Sequence, residues 1–188
     1  MHNEVKKIAF TGSTLVGRKI LEMSAKSNLK KVGLELGGKS PVIVDENADL
    51  SDVAKKVMRG KTMNAGQICL APDYLMLPKG KSEEFAKASN EAISEMFADL
   101  KYNEDYTSVI NERHYERINE LVSDAKEKGA EVIQINPADE DFEQQELHKI
   151  PPTLVLNPTD EMKIMQEEIF GPVSVSYTHL TLPTRIFV

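Results

Sequence analysis

A single cysteine stands in the 188 residues, so no internal disulfide can form and redox stapling is excluded. Tryptophan is absent, and the four histidines, His2, His114, His148 and His179, fall at no metal-ligand spacing, which argues against a zinc site. No run approaches the ~18 consecutive apolar residues of a membrane span, and the opening Met-His-Asn-Glu-Val-Lys-Lys lacks the apolar core of a secretory signal. Positive charge is in deficit. Lys and Arg number 23 against 30 Asp and Glu, a formal charge of −7, and such a surface repels nucleic-acid phosphates and anionic lipid. The expectation is a soluble, cytoplasmic protein with neither nucleic acid nor membrane as partner. Hydrophobic residues at 40% and charged residues at 28% suffice for a packed core. The length fits one ordinary domain or a piece of a larger protein.

Along the chain, Val5 to Phe10 is β-prone, Thr11-Gly-Ser-Thr-Leu-Val-Gly17 follows as a glycine turn, and Val16, Ile20 and Met23 then recur at helical spacing. Lys31 to Leu36 and Val42 to Asp45 read as strands separated by Gly37-Gly38-Lys39-Ser40-Pro41. Behind Asp49, a good N-cap, Leu50, Val53, Ala54, Val57 and Met58 predict a helix ending near Gly60. Tyr74 to Leu77 reads as a strand, Ser82 to Leu100 as a helix, and Asn111 to Lys128 as another closed by Gly129. Strand-like Glu131 to Ile135, a solvated acidic loop from Asp139 to Glu146, and a strand at Thr153 to Leu156 complete the reading. Helices alternating with single strands predict an α/β domain with a mainly parallel sheet.

Three places carry possible chemistry. The turn at Gly12-Ser13-Thr14, with Gly17 behind it, presents backbone N–H groups at a helix start and could cradle a phosphate. It matches neither the Walker pattern, because Arg18-Lys19 stands where Lys then Ser or Thr is required, nor the dinucleotide fingerprint. Cys69 lies in Asn64-Ala-Gly-Gln-Ile-Cys-Leu-Ala-Pro, among small and amide residues outside any apolar periodic run. Core thiol and nucleophile are both open on that ground alone. Glu35 interrupts the apolar strand Val-Gly-Leu-Glu-Leu-Gly-Gly, and burying a carboxylate is costly without a partner or a task. A functional carboxylate and an exposed edge-strand glutamate are the two readings.

Phe10-Thr-Gly-Ser13, Leu34-Glu35-Leu-Gly-Gly-Lys39-Ser-Pro41, Asn64-Ala-Gly-Gln67-Ile-Cys69 and Gln166-Glu-Glu168-Ile-Phe170-Gly-Pro172 stand in this order along the chain. In order and approximate spacing they resemble the motifs of the aldehyde dehydrogenase superfamily. Ala-Pro-Asp-Tyr after Cys69, with Pro-Pro-Thr-Leu-Val downstream, is most similar to the class 3 and coniferyl aldehyde dehydrogenase branch. The resemblance implies an α/β fold comprising the end of a Rossmann-type cofactor domain over 1–38 and much of the catalytic domain over 39–173. It implies Cys69 as nucleophile and Glu35 as general base, the two facing one cleft. Gly12, Ser13, Gly17 and Leu36 match positions near the cofactor, and Glu168 and Phe170 match the pair that holds the nicotinamide ribose. NAD or NADP is the implied cofactor, an aldehyde the implied substrate, and a homodimer the implied assembly of the full-length protein.

Two departures qualify these expectations. The family's oxyanion asparagine and first cofactor-domain elements precede the motif at Phe10, so the resemblance implies a fragment, inactive and poorly folded alone. Residues 174–188, Ser-Val-Ser-Tyr-Thr-His-Leu-Thr-Leu-Pro-Thr-Arg-Ile-Phe-Val, read as a tail foreign to the family, which leaves His179 and Arg185 without a role. Competing readings are a noncatalytic structural remnant and a cysteine hydrolase pairing Cys69 with His114.

Overall fold

Glycine and proline at positions 37, 38 and 41 end one run of structure and begin another, and the chain divides there into two units, Met1–Gly38 and Lys39–Val188. The structure, a computed structural model, describes residues 4–143 and 145–178. His2, His179, Arg185 and the last ten residues of the expected tail lie outside the described residues.

In the first unit, strands β1 (Lys7–Gly12) and β2 (Lys31–Leu36) pair in parallel, Lys7 opposite Lys31 and Gly12 opposite Leu36. Helix α1 (Thr14–Ala25) connects them, with Ser13 as N-cap accepting the Val16 N–H at 3.4 Å. The helix expected from the spacing of Val16, Ile20 and Met23 is present, with Val16 and Met23 exposed and Gly17 and Ser24 the buried residues of α1. A Cβ on Gly17 would lie 3.0 Å from a Leu36 methyl, so the missing side chain lets helix and strand approach closely.

The second unit is a five-stranded sheet in the order β3 (Pro41–Ile43), β4 (Tyr74–Leu77), β7 (Val173–Thr178), β6 (Thr153–Leu156), β5 (Glu131–Gln134). Every pairing is parallel except β5 with β6. Successive residues of β6 point to opposite faces: Leu154 and Leu156 join the core of Ala54, Met58, Leu75, Leu77, Phe85 and Ile93, whereas Val155 joins that of Ile118, Leu121, Val173 and Val175. Helices α2 (Leu50–Thr62) and α3 (Ser82–Met96) supply the first face, α4 (Glu112–Glu127) and the short α5 (Lys163–Gln166) the second. Among the described residues no helix is long and apolar enough to cross a membrane.

Several boundaries differ from expectation. Helix α2 runs past Gly60 to Thr62, and α3 stops at Met96 because Phe97 is extended, leaving Leu100 to enter the core from a loop. The acidic stretch is not simply solvated: the Glu140 carboxylate accepts the backbone N–H groups of Leu100 and Lys101 at 2.6 and 2.9 Å. The division drawn after residue 173 falls inside β7, whose Ser174 and Ser176 are fully buried between β4 and β6. Residues 174–178 are therefore the middle of the sheet rather than a tail. A strand buried on both faces had been masked by its small polar residues, one of which, Ser174, donates to the Pro72 carbonyl at 2.9 Å.

Candidate functional site

Cys69 sits on the loop that carries the chain from α2 to β4. After Thr62 the backbone turns sharply: Asn64, Ala65 and Gly66 take φ of 50°, 50° and 69°. For the first two this left-handed conformation is strained, on the order of 1–3 kcal/mol for a non-glycine residue, and it persists because neighbouring bonds fix it. Gln67 is the main fastener. Its amide donates to the carbonyls of Asn64 and Ser108, each at 3.0 Å, and its oxygen accepts the Ile110 N–H at 2.9 Å. The Ser40 hydroxyl donates to the Cys69 carbonyl at 3.2 Å. The backbone is thus held from several sides while the Cys69 side chain is exposed, and Met63 and Leu70 on the same stretch expose apolar side chains.

The loop abuts a second one, Glu167 to Gly171. Gly66 lies against Gly171, where a Cβ would come within 2.3 Å of the carbonyl oxygen. Asp73, just past the Cys69 loop and 2% exposed, accepts the Ile169 N–H at 2.9 Å and pairs with the Lys39 ammonium. Lys39 also donates to the carbonyls of Ile164 and Glu167 at 2.8 and 3.1 Å. Lys61, on the last turn of α2, is 2% exposed. Desolvation by burial, and then Lys39, push its ammonium down to about 8, against the pull of Asp73 and Glu168. Phe170 is partly exposed and holds φ of 50°.

The other expected site residues lie in the first unit. Gly12 and Ser13 form the turn before α1, and a Cβ on Gly12 would meet the Phe10 ring at 2.7 Å. Gly17 and Leu36 touch in the packing of α1 on β2. Glu35 is exposed on β2, so the argument from the cost of burying its charge does not apply. Cys69, Glu168 and Phe170 are brought onto two adjoining loops of the second unit, whereas Gly12, Ser13, Gly17, Glu35 and Leu36 belong to the first.

His114 stands in the first turn of α4, and burial, followed by Arg117 and Arg113, holds its imidazole below the ordinary value. That cationic neighbourhood is the opposite of the carboxylate that orients the histidine of a cysteine hydrolase. Among the described residues no group of three His, Cys, Asp or Glu side chains could hold a metal. Sequence reasoning missed Asp73, Lys61 and Arg117 as parts of the site. Asp73 stood within a quoted motif; a lysine and an arginine on amphipathic helices gave no signal, since such charges usually face water.

The chain belongs to the aldehyde dehydrogenase family, whose pattern matches residues 1–180. Over 166 residues it is 56% identical to a probable coniferyl aldehyde dehydrogenase of Caulobacter vibrioides, covering 88% of this chain and 34% of that protein. It is 48% identical over 166 residues to the coniferyl aldehyde dehydrogenase of a Pseudomonas species, with the same coverage of 88% and 34%. The chain thus spans about a third of the length of these relatives. Among solved structures, a substrate-bound Staphylococcus aureus AldH superposes with a TM-score of 0.82 at 32% identity, covering 94% of this chain and 37% of that one. An NAD-dependent aldehyde dehydrogenase of Sinorhizobium meliloti does so with 0.80 at 35% identity, covering 94% and 35%.

Proposed function

We propose that this chain carries the nucleophile, the general base and part of the cofactor site of an NAD(P)-dependent aldehyde dehydrogenase acting on an aromatic, coniferyl-type aldehyde. The observation that carries the reading is the exposed Cys69 thiol on a backbone fixed by Gln67, Ser40 and Gly66. A nucleophile must be reachable and aimed. The exposed apolar side chains of Met63 and Leu70 suit an apolar substrate, and the coniferyl names of the relatives support the finer class.

The thiolate of Cys69 adds to the aldehyde carbon, forming the C–S bond while the carbonyl π pair moves onto oxygen as an oxyanion, to which the Cys69 backbone N–H donates. The cofactor supplies a hydride acceptor when bound. In the first unit the start of the twelve-residue α1, just behind the Gly12-Ser13 turn, would offer backbone N–H groups to the pyrophosphate. In the second unit Glu168 would offer a carboxylate to the ribose hydroxyls, beside the partly exposed Phe170. Loss of hydride leaves a thioester on Cys69. Glu35 takes a proton from water, the hydroxide adds to the thioester carbon, and the C–S bond breaks to release the carboxylic acid and the thiolate.

The test joins this chain to the remaining segments of the Caulobacter relative in a chimera and follows aldehyde-dependent NAD(P)H formation. Cys69→Ala should abolish turnover, and iodoacetamide should inactivate the unsubstituted chimera. Glu35→Gln should retain a burst of one NAD(P)H per site followed by slow turnover, because acylation precedes the step that needs the base. Steady turnover in Cys69→Ala would overturn the assignment.

A further inference from the structure

The loop that carries Glu168 and Phe170 is gripped from α4. One nitrogen of the Arg117 guanidinium, Nη1, donates to the Glu168 carbonyl at 3.3 Å, and the other, Nη2, donates to the carbonyl of Ile169. The Glu167 carboxylate stands 3.8 Å from Nη1, so the side chain also feels an opposite charge. The next residue on the helix, Ile118, is fully buried, and its terminal methyl would lie 2.5 Å from a Cβ on Gly171. One turn of α4 therefore touches the loop on both sides of Phe170. From the opposite direction Asp73 holds the Ile169 N–H at 2.9 Å. Phe170 itself is an aromatic residue at φ 50°, a conformation that survives only where the surrounding bonds over-determine it.

We propose that Arg117 is a positioning residue for the cofactor: its planar fork, engaging two consecutive carbonyls while Asp73 holds the N–H between them, fixes where Glu168 and Phe170 stand. The inference rests on the reading above that this pair meets the nicotinamide ribose. A guanidinium suits the task because its N–H groups leave in fixed directions and can serve two acceptors at once, whereas an ammonium is a single point donor on a flexible stem. Arg117 touches no reacting atom in this account. It acts through the backbone of its neighbours, which separates it from Cys69 and Glu35.

The chimera tests this through Arg117→Met, Arg117→Lys and Glu168→Gln, with the Michaelis constants for the nicotinamide cofactor and for coniferaldehyde measured separately, alongside thermal unfolding. Arg117→Met should raise the cofactor KM roughly tenfold, the loss expected from charge-assisted bonds to two carbonyls, and leave the aldehyde KM and the alkylation rate of Cys69 unchanged. Arg117→Lys should recover only part of the loss. An unchanged cofactor KM, or a fall in both affinities that tracks a fall in melting temperature, would overturn the proposal. If Arg117→Met does not fold, Arg117→Lys decides alone, and an unaltered cofactor KM in it is fatal. Glu168→Gln separates the two levels: if it raises the cofactor KM while the Arg117 variants do not, only the grip fails. If Glu168→Gln changes nothing, the ribose reading fails and the proposal falls with it.

Discussion

Gly66 and Gly171 meet backbone to backbone: a Cβ on Gly66 would stand 2.3 Å from the Gly171 carbonyl oxygen and 2.7 Å from its carbon. No side chain fits into that seam, so the loop bearing Cys69 and the loop bearing Glu168 are set against each other by main chain. Gly66→Ala should therefore be damaging twice over, through its φ of 69° and through the clash. Gly80 provides the control, with φ of 75° and nothing within 4 Å of a Cβ. Gly80→Ala should cost about 1 kcal/mol, and Gly66→Ala at least ~3 kcal/mol, as urea unfolding midpoints of the chimera. Equal losses would mean that the seam yields.

Gln67 cannot be replaced by its acid. A carboxylate at this position can still accept the Ile110 N–H but has no hydrogen to give the carbonyls of Asn64 and Ser108, which the amide now serves at 3.0 Å each. Gln67→Glu should destabilise by roughly 2–4 kcal/mol, the sum of two lost bonds and the carbonyl repulsion that replaces them. The Cys69 loop should loosen, read as a changed rate of iodoacetamide alkylation at fixed pH. An unchanged rate together with an unchanged unfolding midpoint would refute the fastening role of the amide.

Much of this fold was legible because local signals agreed with burial. Strands β2, β4 and β6 have the bounds their β-prone runs predict, and the side chain of Asp49 caps α2 by accepting the N–H groups of Ser51 and Asp52. Where the signal was long-range it failed. Val-Ser-Val-Ser in β7 alternates like a surface strand, yet both faces are buried, and only its position between β4 and β6 accounts for that. The path of the chain after α3 is held by Glu140, some forty residues on, which takes up the N–H groups of Leu100 and Lys101. The Cys69 motif stood out in the sequence, whereas Arg117 looked like any solvent-facing helical charge because its acceptors are backbone atoms about fifty residues distant.

Asp73 joins the two loops through charge as well as through the Ile169 N–H. With side-chain exposures of 3% for Asp73 and 18% for Lys39, the pair is sheltered, and removing one member strands the other. Asp73→Ala should lower stability by about 3–5 kcal/mol. Asp73→Asn should cost less, because an amide oxygen can still accept from Ile169. Hydrogen exchange at the Ile169 amide should accelerate strongly in the alanine variant and only slightly in the asparagine one. Identical exchange in both would show that the carboxylate oxygen is not what protects that N–H.

Lys61 gives the protein a pH dependence whose sign is fixed by its burial. Its folded value is lowered from 10.5 to about 8, chiefly by desolvation and then by the Lys39 charge, with Asp73 and Glu168 opposing. Between those two values the unfolded chain binds more protons at this site than the folded chain, so stability rises with pH across the interval. Below it both states are protonated, and the folded state carries the full penalty of a buried ammonium, about 3 kcal/mol at ~1.4 kcal/mol per unit. Lys61→Met removes both the penalty and the slope. The variant should equal or exceed the parent in stability at pH 7, and the parent should close the gap as pH rises toward 9.5. Tyr106, whose hydroxyl is raised by burial, destabilises the folded state only in more alkaline solution, and it does so in both proteins, so the difference between them isolates Lys61. Urea midpoints at pH 7, 8, 9 and 9.5 measure it. Parallel curves would mean that the Lys61 ammonium is solvated in the native state.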